Sequence, residues 1–255
     1  MIIQGKRIWI AGQFIAAQLE IEDGKIVRVL PYSSRAADED CGTDRVVPGF
    51  IDVHTHGAYG FDTNDAEPEG LRDWMRRIPE EGVTSILPTT VTQMPDVLEA
   101  AVANVAAVVK EGYEGAEILG IHFEGPYLDM EYKGAQPPEA IAKATVEQFK
   151  RYQEAAEGLI KYITLAPEHD EDFALTRYCH ENGVVVSMGH SSATYEQALM
   201  GIANGATSMT HVYNGMTPYH HRKPGLVGTA LRVRDIYGEV ICDGCHSHLA
   251  ALNNF

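Results

Sequence analysis

The sequence has no run approaching 18 consecutive apolar residues, so no segment of its 255 residues reads as a membrane span. Its opening, MIIQGKRIWIAGQF, lacks the long apolar stretch and small-residue cleavage site of a secretory signal, and the expectation is a cytoplasmic protein. Cysteine is scarce. Cys41, Cys179, Cys242 and Cys245 are too few and too unevenly placed for a disulfide framework. Cys242 and Cys245 form a CxxC, but a zinc knuckle needs a second pair, so these are expected to be reduced thiols of the barrel wall. Positive charge is also short: 20 Lys and Arg face 36 Asp and Glu, for a net −16 without any basic stripe. That excludes the electrostatic footprint of nucleic-acid binding, and any anionic ligand must be held by a local cluster of donors. Internal repeats of constant spacing, low-complexity segments and long linkers are all missing.

What is present is the composition of a globular protein, 45% hydrophobic and 22% charged, long enough for one barrel-sized domain or two smaller ones. Residues 1–47 alternate apolar and polar positions between turn signals, with Asp23-Gly24 as a hairpin turn, which predicts a small domain of short antiparallel strands. From residue 48 to 255 buried apolar strands alternate with amphipathic helices, the pattern of a parallel sheet with crossover helices. Seven strand candidates follow one another: VVPGFIDVHTHG, VTSILPTT, AEILGIHFEGP, LIKYITLAPE, GVVVSMGHS, ATSMTHVYNG and YGEVICDGCH. The clearest helix covers 95–111, with Val97, Leu98, Ala101, Val102, Val105, Val108 and Val109 on one face. Another opens at Thr194, with Gln197 completing a capping box. The fold expected is an α/β, TIM-like (β/α)8 barrel, incomplete at about seven units.

Histidines and acids fall at the C-terminal ends of these strands: Asp52, His54 and His56 on the first, His122 and Glu124 on the third, His190 on the fifth, His211 on the sixth, Asp243 and His246 on the seventh. In parallel barrels that rim is where active sites are built. His54 and His56 are two apart on a strand and point to the same side, so both can reach one ion. Imidazoles with a carboxylate suit zinc first, and iron or another first-row divalent ion is compatible. Such an ion polarises a carbonyl and acidifies water, giving hydrolysis without a Ser or Cys nucleophile. Amide hydrolysis also needs an acid for the leaving amine. No unassigned acid at a strand end fits that role well, and Asp243 reads as structural.

PGFIDVHTHG, GVTSILPT, GIHFEGPYL, KGAQPPE, APE, GHSSAT, THVYNGM, RKPGLVG and DGCHSH occur in order along essentially the whole chain. Together they resemble the N-acetylglucosamine-6-phosphate deacetylases of the amidohydrolase superfamily, HFEGP, GHS and THxxNxM being the specific elements. The resemblance implies hydrolysis of the acetamide of N-acetylglucosamine 6-phosphate to glucosamine 6-phosphate and acetate, in amino-sugar recycling. It implies Glu124, His190 and His211 as ligands of a primary metal, and His54 and His56, with Glu124 bridging, as ligands of a second. It implies Asn214 and the Gly215 backbone as a phosphate-binding turn, and Arg222 as a guanidinium reaching the substrate of the neighbouring subunit of a homodimer. His246 resembles the residue that polarises the acetyl carbonyl or contacts the sugar. Gln136 stands where many relatives place a sugar-contacting histidine. Residues 1–47 would belong to a small β-sandwich, and the catalytic aspartate of an eighth strand would lie beyond Phe255, so this chain is expected to show little or no activity itself. N-acetylgalactosamine 6-phosphate as substrate, and a non-catalytic metal- or sugar-phosphate-binding remnant, stay open as alternatives.

Overall fold

The computed structural model describes residues 1–254, and by their internal contacts these separate after Phe50 into two units. In the first, β1 (Ile2–Ile10), β2 (Gln13–Glu22) and β3 (Lys25–Pro31) form an antiparallel meander. The β2–β3 turn is the expected one: Asp23 and Gly24 both adopt positive φ, 50° and 74°, as a two-residue hairpin with right-handed twist requires. On the other side of β1 lie β4 (Glu39–Asp40) and β5 (Arg45–Val46), which run parallel to it. This differs from the all-antiparallel expectation, because residues 32–38 carry the chain from β3 at one edge across to the opposite edge, where it re-enters in the direction of β1. Among the described residues these strands make one five-stranded sheet, with a small core of Ile8, Ala17 and Leu19. No second sheet of a sandwich is seen there.

The second unit holds seven sheet strands. They are β6 (Phe50–Thr55), then, after a two-stranded hairpin of β7 (Gly57–Ala58) and β8 (Phe61–Asp62), β9 (Val83–Thr90), the interrupted strand β10 (Glu117–Ile118) and β11 (Ile121–Glu124), β12 (Ile160–Leu165), β13 (Val185–Met188), β14 (Ala206–Met209) and β15 (Tyr237–Gly238). From β9 to β15 each pairs in parallel with the next, and β6 pairs with β9. Helices α1 (Pro68–Arg77), α2 (Pro95–Glu111), α3 (Val146–Ala155), α4 (Ala174–Glu181), α5 (Tyr195–Ala203) and α6 (Gly225–Arg232) occupy the crossovers, and a short α7 (Leu249–Leu252) follows β15. The sheet curls, since the His54 side chain at the end of β6 meets that of Glu239, just past β15, at 2.7 Å.

Periodicity explains the packing. The α2 helix occupies the expected 95–111 and buries Leu98, Ala101, Val102, Val105 and Val108, while Val97 and Val109 flank that stripe half-buried. In α1, Leu71, Trp74 and Met75 are fully buried at helical spacing; truncating a buried Trp costs about 3–5 kcal/mol. Thr194 caps α5 in the expected box with Gln197. None of the described helices is long and apolar enough to cross a membrane.

One expectation fails at the end of the sheet. The segment YGEVICDGCH is strand only at Tyr237 and Gly238, and Cys242 and Cys245 are exposed, not wall thiols. The reason is local: the Asp243 carboxylate accepts from the backbone N–H groups of Cys245 (2.8 Å) and His246 (3.0 Å), closing a turn that competes with strand pairing. Only Cys179 behaves as a core residue, its thiol pushed up to about 12 by burial, with nearby Asp170 acting in the same sense.

Candidate metal centre

At the C-terminal rim of the sheet Glu124, 1% exposed, is surrounded by imidazoles. Its Oε1 lies 3.2 Å from His190 Nε2, 3.3 Å from His211 Nε2 and 3.4 Å from His54 Nε2; its Oε2 lies 3.3 Å from His56 Nε2. All five metal-ligand candidates of the sequence are therefore together, as two overlapping groups that share Glu124. The strand period accounts for the first pair: His54 lies on β6 and His56 just past its end, two positions on, so both face one side.

The other ring nitrogens decide what these imidazoles can do. His190 Nδ1 is 2.8 Å from the Tyr132 carbonyl, His211 Nδ1 is 3.0 Å from the Asn214 carbonyl, and His56 Nδ1 is 3.3 Å from the Thr89 carbonyl. His54 Nδ1 is 2.7 Å from a carboxylate oxygen of Glu239. Each partner can only accept, so each Nδ1 carries a proton, and a neutral ring then presents a bare lone pair at Nε2. His190 Nε2 and His211 Nε2 face each other at 3.0 Å with Glu124 Oε1 beside both. Acceptors so placed repel unless a cation or extra protons lie among them. Donors bound at about 2.0–2.1 Å around a tetrahedral ion are about 3.3 Å apart, so the spacing fits a first-row divalent ion.

Electrostatics agree with that reading. Burial opposes charge on Glu124, but hydrogen bonds with His190, His211 and His54 outweigh it and hold the carboxyl well below its usual range. Burial likewise opposes charge on His54, yet its bonds to Glu124 and Glu239 raise it to about 10 in the metal-free protein. His56 goes down, through burial and the neighbouring His54, against the pull of Glu124. Protons thus occupy part of the cation's place when no ion is bound.

The backbone is strained where two of these side chains leave it. His190 (φ 46°) and His211 (φ 29°) are both left-handed, a region bulky residues rarely adopt. Neighbours hold the His190 turn in place: Asp129 N–H donates to the His190 carbonyl (2.8 Å), and Ser191 N–H to that of Gly215 (3.0 Å). Below it, Glu168 accepts from the Ser191 hydroxyl (2.7 Å) and the Ser192 N–H (2.6 Å), while Asp129 pairs with His169 at 2.7 Å. Gly215 has a positive φ of its own, 58°, and a Cβ there would sit 2.9 Å from His190 Nδ1.

The remaining site candidates are placed unequally. Asn214 joins the centre through its carbonyl, while its amide donates to Ser247 Oγ at 3.3 Å. Gln136 is buried, its Oε1 accepting from Thr92 N–H (2.8 Å) and its amide donating to Glu124 Oε2 (2.9 Å), so in this structure it braces the carboxylate. Arg222 lies in an exposed turn, with its N–H on His220 Nδ1. His246 is exposed and tied through Nδ1 to Asp243 at 2.7 Å; neither it nor Arg222 contacts the histidine cluster. Asp243, held down to about 2 by the N–H groups of His246 and Cys245 and then by the His246 ring, is committed to its turn. His122 is not part of the centre. Fully buried, it bonds the Val53 carbonyl and the Thr164 hydroxyl, each at 2.8 Å.

Sequence reasoning missed Glu239. A lone acid in the apolar run YGEVIC, at the end of the seventh strand, was the available signal.

The amidohydrolase family model matches residues 45–254. The chain is similar to the N-acetylglucosamine-6-phosphate deacetylase of Bacillus subtilis (strain 168), with 45% identity over 237 residues, 89% of this chain and 59% of that protein. It is also similar to the N-acetylgalactosamine-6-phosphate deacetylase of Escherichia coli O157:H7, with 36% identity over 236 residues, 92% of this chain and 62% of that one. Among solved structures, the N-acetyl-D-glucosamine-6-phosphate deacetylase of Mycobacterium smegmatis superposes with a TM-score of 0.93 at 31% identity, over 99% of this chain and 66% of that chain. The chain thus spans about six-tenths of the length of these curated relatives.

Proposed function

The chain belongs to the amidohydrolase family, and on that premise we propose that the protein hydrolyses the acetamide of N-acetylglucosamine 6-phosphate, giving glucosamine 6-phosphate and acetate. One observation carries the reading: His190 Nε2, His211 Nε2 and Glu124 Oε1, all acceptors in the neutral-ring tautomer, converge within 3.3 Å of one another. Similarity to deacetylases of the gluco and galacto sugar phosphates supports the substrate class.

Glu124, His190 and His211 would hold one ion, and His54 and His56, with Glu124 shared, a second; zinc suits the donor set, and other divalent ions are compatible. When bound, the metal supplies Lewis acidity toward the acetyl oxygen and makes water available as a nucleophile at neutral pH. The chain's own residues supply the rest. Gln136 and the histidines fix the Glu124 carboxylate, and the carbonyls of Tyr132 and Asn214 fix the tautomers of His190 and His211. His246 keeps Nε2 free of the Asp243 bond; with Nδ1 donating to that carboxylate, Nε2 would accept from a sugar hydroxyl in the neutral ring and would donate to the acetyl carbonyl only in the protonated ring. Asn214 and the Gly215 backbone would take the phosphate, and Arg222, exposed, would reach the phosphate bound in the other subunit of a homodimer. The leaving amine needs a proton. Among the described residues Glu239 and Asp243 are engaged elsewhere, and the reading assigns that proton to a carboxylate outside residues 1–255. A closed eight-stranded barrel, a completed sandwich and a cytoplasmic location belong to the same proposal.

Acetate release from N-acetylglucosamine 6-phosphate, with and without added divalent ion, tests it. Metal-dependent release is expected from a full-length protein that carries the proton-donating carboxylate, and little or none from residues 1–255 alone. A full-length, metal-loaded protein that leaves the sugar phosphate untouched overturns the assignment, and faster release from the galacto epimer moves the substrate to N-acetylgalactosamine 6-phosphate.

A further inference from the structure

We propose that Glu239 is the positioning residue that makes His54 a ligand, and thereby sets whether the centre holds a second ion. This inference rests on the metal reading above. Three of the four imidazoles around Glu124 are oriented by main-chain carbonyls, those of Thr89, Tyr132 and Asn214, which come with the fold. His54 alone is oriented by a side chain, through the 2.7 Å bond from its Nδ1 to Glu239 Oε2.

Glu239 is itself held firmly. Its N–H donates to the Met209 carbonyl (2.9 Å), and its carbonyl accepts from Val212 N–H (2.8 Å). The Tyr162 hydroxyl lies 2.6 Å from Glu239 Oε1 and 2.6 Å from Ser208 Oγ. A carboxylate only accepts, so Tyr162 donates to Glu239 and takes the Ser208 hydroxyl as its own donor. The carboxylate therefore cannot turn away from His54. It holds the proton on Nδ1, so Nε2, aimed at Glu124 Oε1 at 3.4 Å, is the nitrogen whose proton an incoming ion displaces, and it strengthens the ring as a donor to that ion. Gln at 239 keeps the shape but loses the charge, and its amide can turn an N–H toward Nδ1, which would move the ring proton to Nε2 and remove the lone pair the ion needs. Neither the His190 ring nor the His211 ring bonds to Glu239, whose only link to them is a long 3.4 Å bond accepted by Oε2 from the His211 backbone N–H, so the first ion should be far less sensitive to the change than the second.

Wild-type chain, Glu239→Gln and His54→Asn are stripped of metal and titrated with Co2+, with bound metal counted by elemental analysis and the visible d–d spectrum followed. The wild type is expected to take two ions. Glu239→Gln should keep the first within about threefold and hold the second about 10–100-fold more weakly, the usual worth of an outer partner of a metal-bound histidine. His54→Asn should lose the same ion, and its spectrum should match that of Glu239→Gln at one equivalent. Two ions bound by Glu239→Gln as tightly as by the wild type overturn this inference alone, as does a wild type that binds only one. Loss of both ions together would make Glu239 a support of the fold and also overturn it. A wild type that binds no Co2+ overturns the metal reading and this inference with it.

Discussion

His54 and His122 are neighbours, their ring centroids 4.5 Å apart, yet they belong to regions with opposite hydrogen-bond logic. In the layer around His122 polar groups meet in matched pairs: its two nitrogens bond the Val53 carbonyl and the Thr164 hydroxyl, and Thr164, Thr210 and Ser187 pass hydroxyl bonds of 2.7 Å along the interior. Burial, helped by the charge of His54, pushes His122 down to about 3, so the ring stays neutral. In the layer above, acceptors face acceptors around Glu124, and His54 rises to about 10. The presence of histidine does not separate the two layers, since each contains it. What separates them is whether each lone pair has a proton to meet. A saturated network holds a fold together, and an unsaturated one calls for an ion.

The contrast is easiest to break at Glu124. Glu124→Ala should weaken divalent-ion binding by more than about 100-fold, beyond the worth of an outer partner, and abolish metal-dependent acetate release by the full-length protein; elemental analysis after dialysis checks it. Retained metal would mean that the upper layer is structural too.

The lower layer should respond in the opposite way. His122→Phe leaves the Val53 carbonyl and the Thr164 hydroxyl short of a partner, and should cost about 2–4 kcal/mol of metal-free stability in urea unfolding while the number of ions bound is unchanged. His190→Asn should do the reverse, losing the first ion with a smaller change in metal-free stability, about 1 kcal/mol, since the shorter amide can still donate to the Tyr132 carbonyl.

The two rings also titrate in opposite senses. For His54 the folded pKa, about 10, lies above the unfolded value near 6.5, so its contribution to metal-free stability is complete below about 6.5 and is lost as pH rises through about 10. For His122 the folded value, about 3, lies below the unfolded one, so stability falls as pH drops from about 6.5 toward 3. Metal binding must displace the His54 proton. Affinity for an ion that engages His54 should therefore rise up to about tenfold per pH unit across the neutral range, with a proton released on binding; calorimetry in buffers of different ionisation enthalpy counts it, and pH-independent binding without proton release would contradict the assignment.

The smallest expected effect lies outside both layers. Thr194→Ala removes the cap of α5, four residues past His190, and should cost about 1 kcal/mol in thermal or urea unfolding. Since that cap takes no part in the cluster's hydrogen bonds, metal affinity should not change; a large loss would show that the turn carrying His190 depends on the helix start.

How much of this could be read from the residues varied with the kind of signal. Helix α2, the Thr194 cap, the Asp23-Gly24 turn and the first six barrel strands are periodic or local, and such signals survive folding, whereas the seventh strand is reduced to two residues. The five candidate ligands were legible because strand ends of a parallel barrel converge on one rim. Glu239 was not, because its partner is 185 residues away and a single acid in an apolar run looks like an edge. The roles of Gln136 and Asp243 depend on which atoms they meet, and sequence spacing does not carry that. The parallel pairing of β4 and β5 with β1 escaped for a related reason: alternation marks a strand but not the direction of its neighbour.

The most direct test of the central claim is X-ray absorption at the zinc edge on zinc-loaded protein. The account predicts a first shell of nitrogen and oxygen at about 2.0–2.1 Å, with the outer scattering of imidazole rings, lost in a variant carrying His54→Asn, His56→Asn, His190→Asn and His211→Asn together. A sulfur shell at about 2.3 Å, which would put the ion on Cys242 and Cys245, or a protein that retains no zinc, would contradict it.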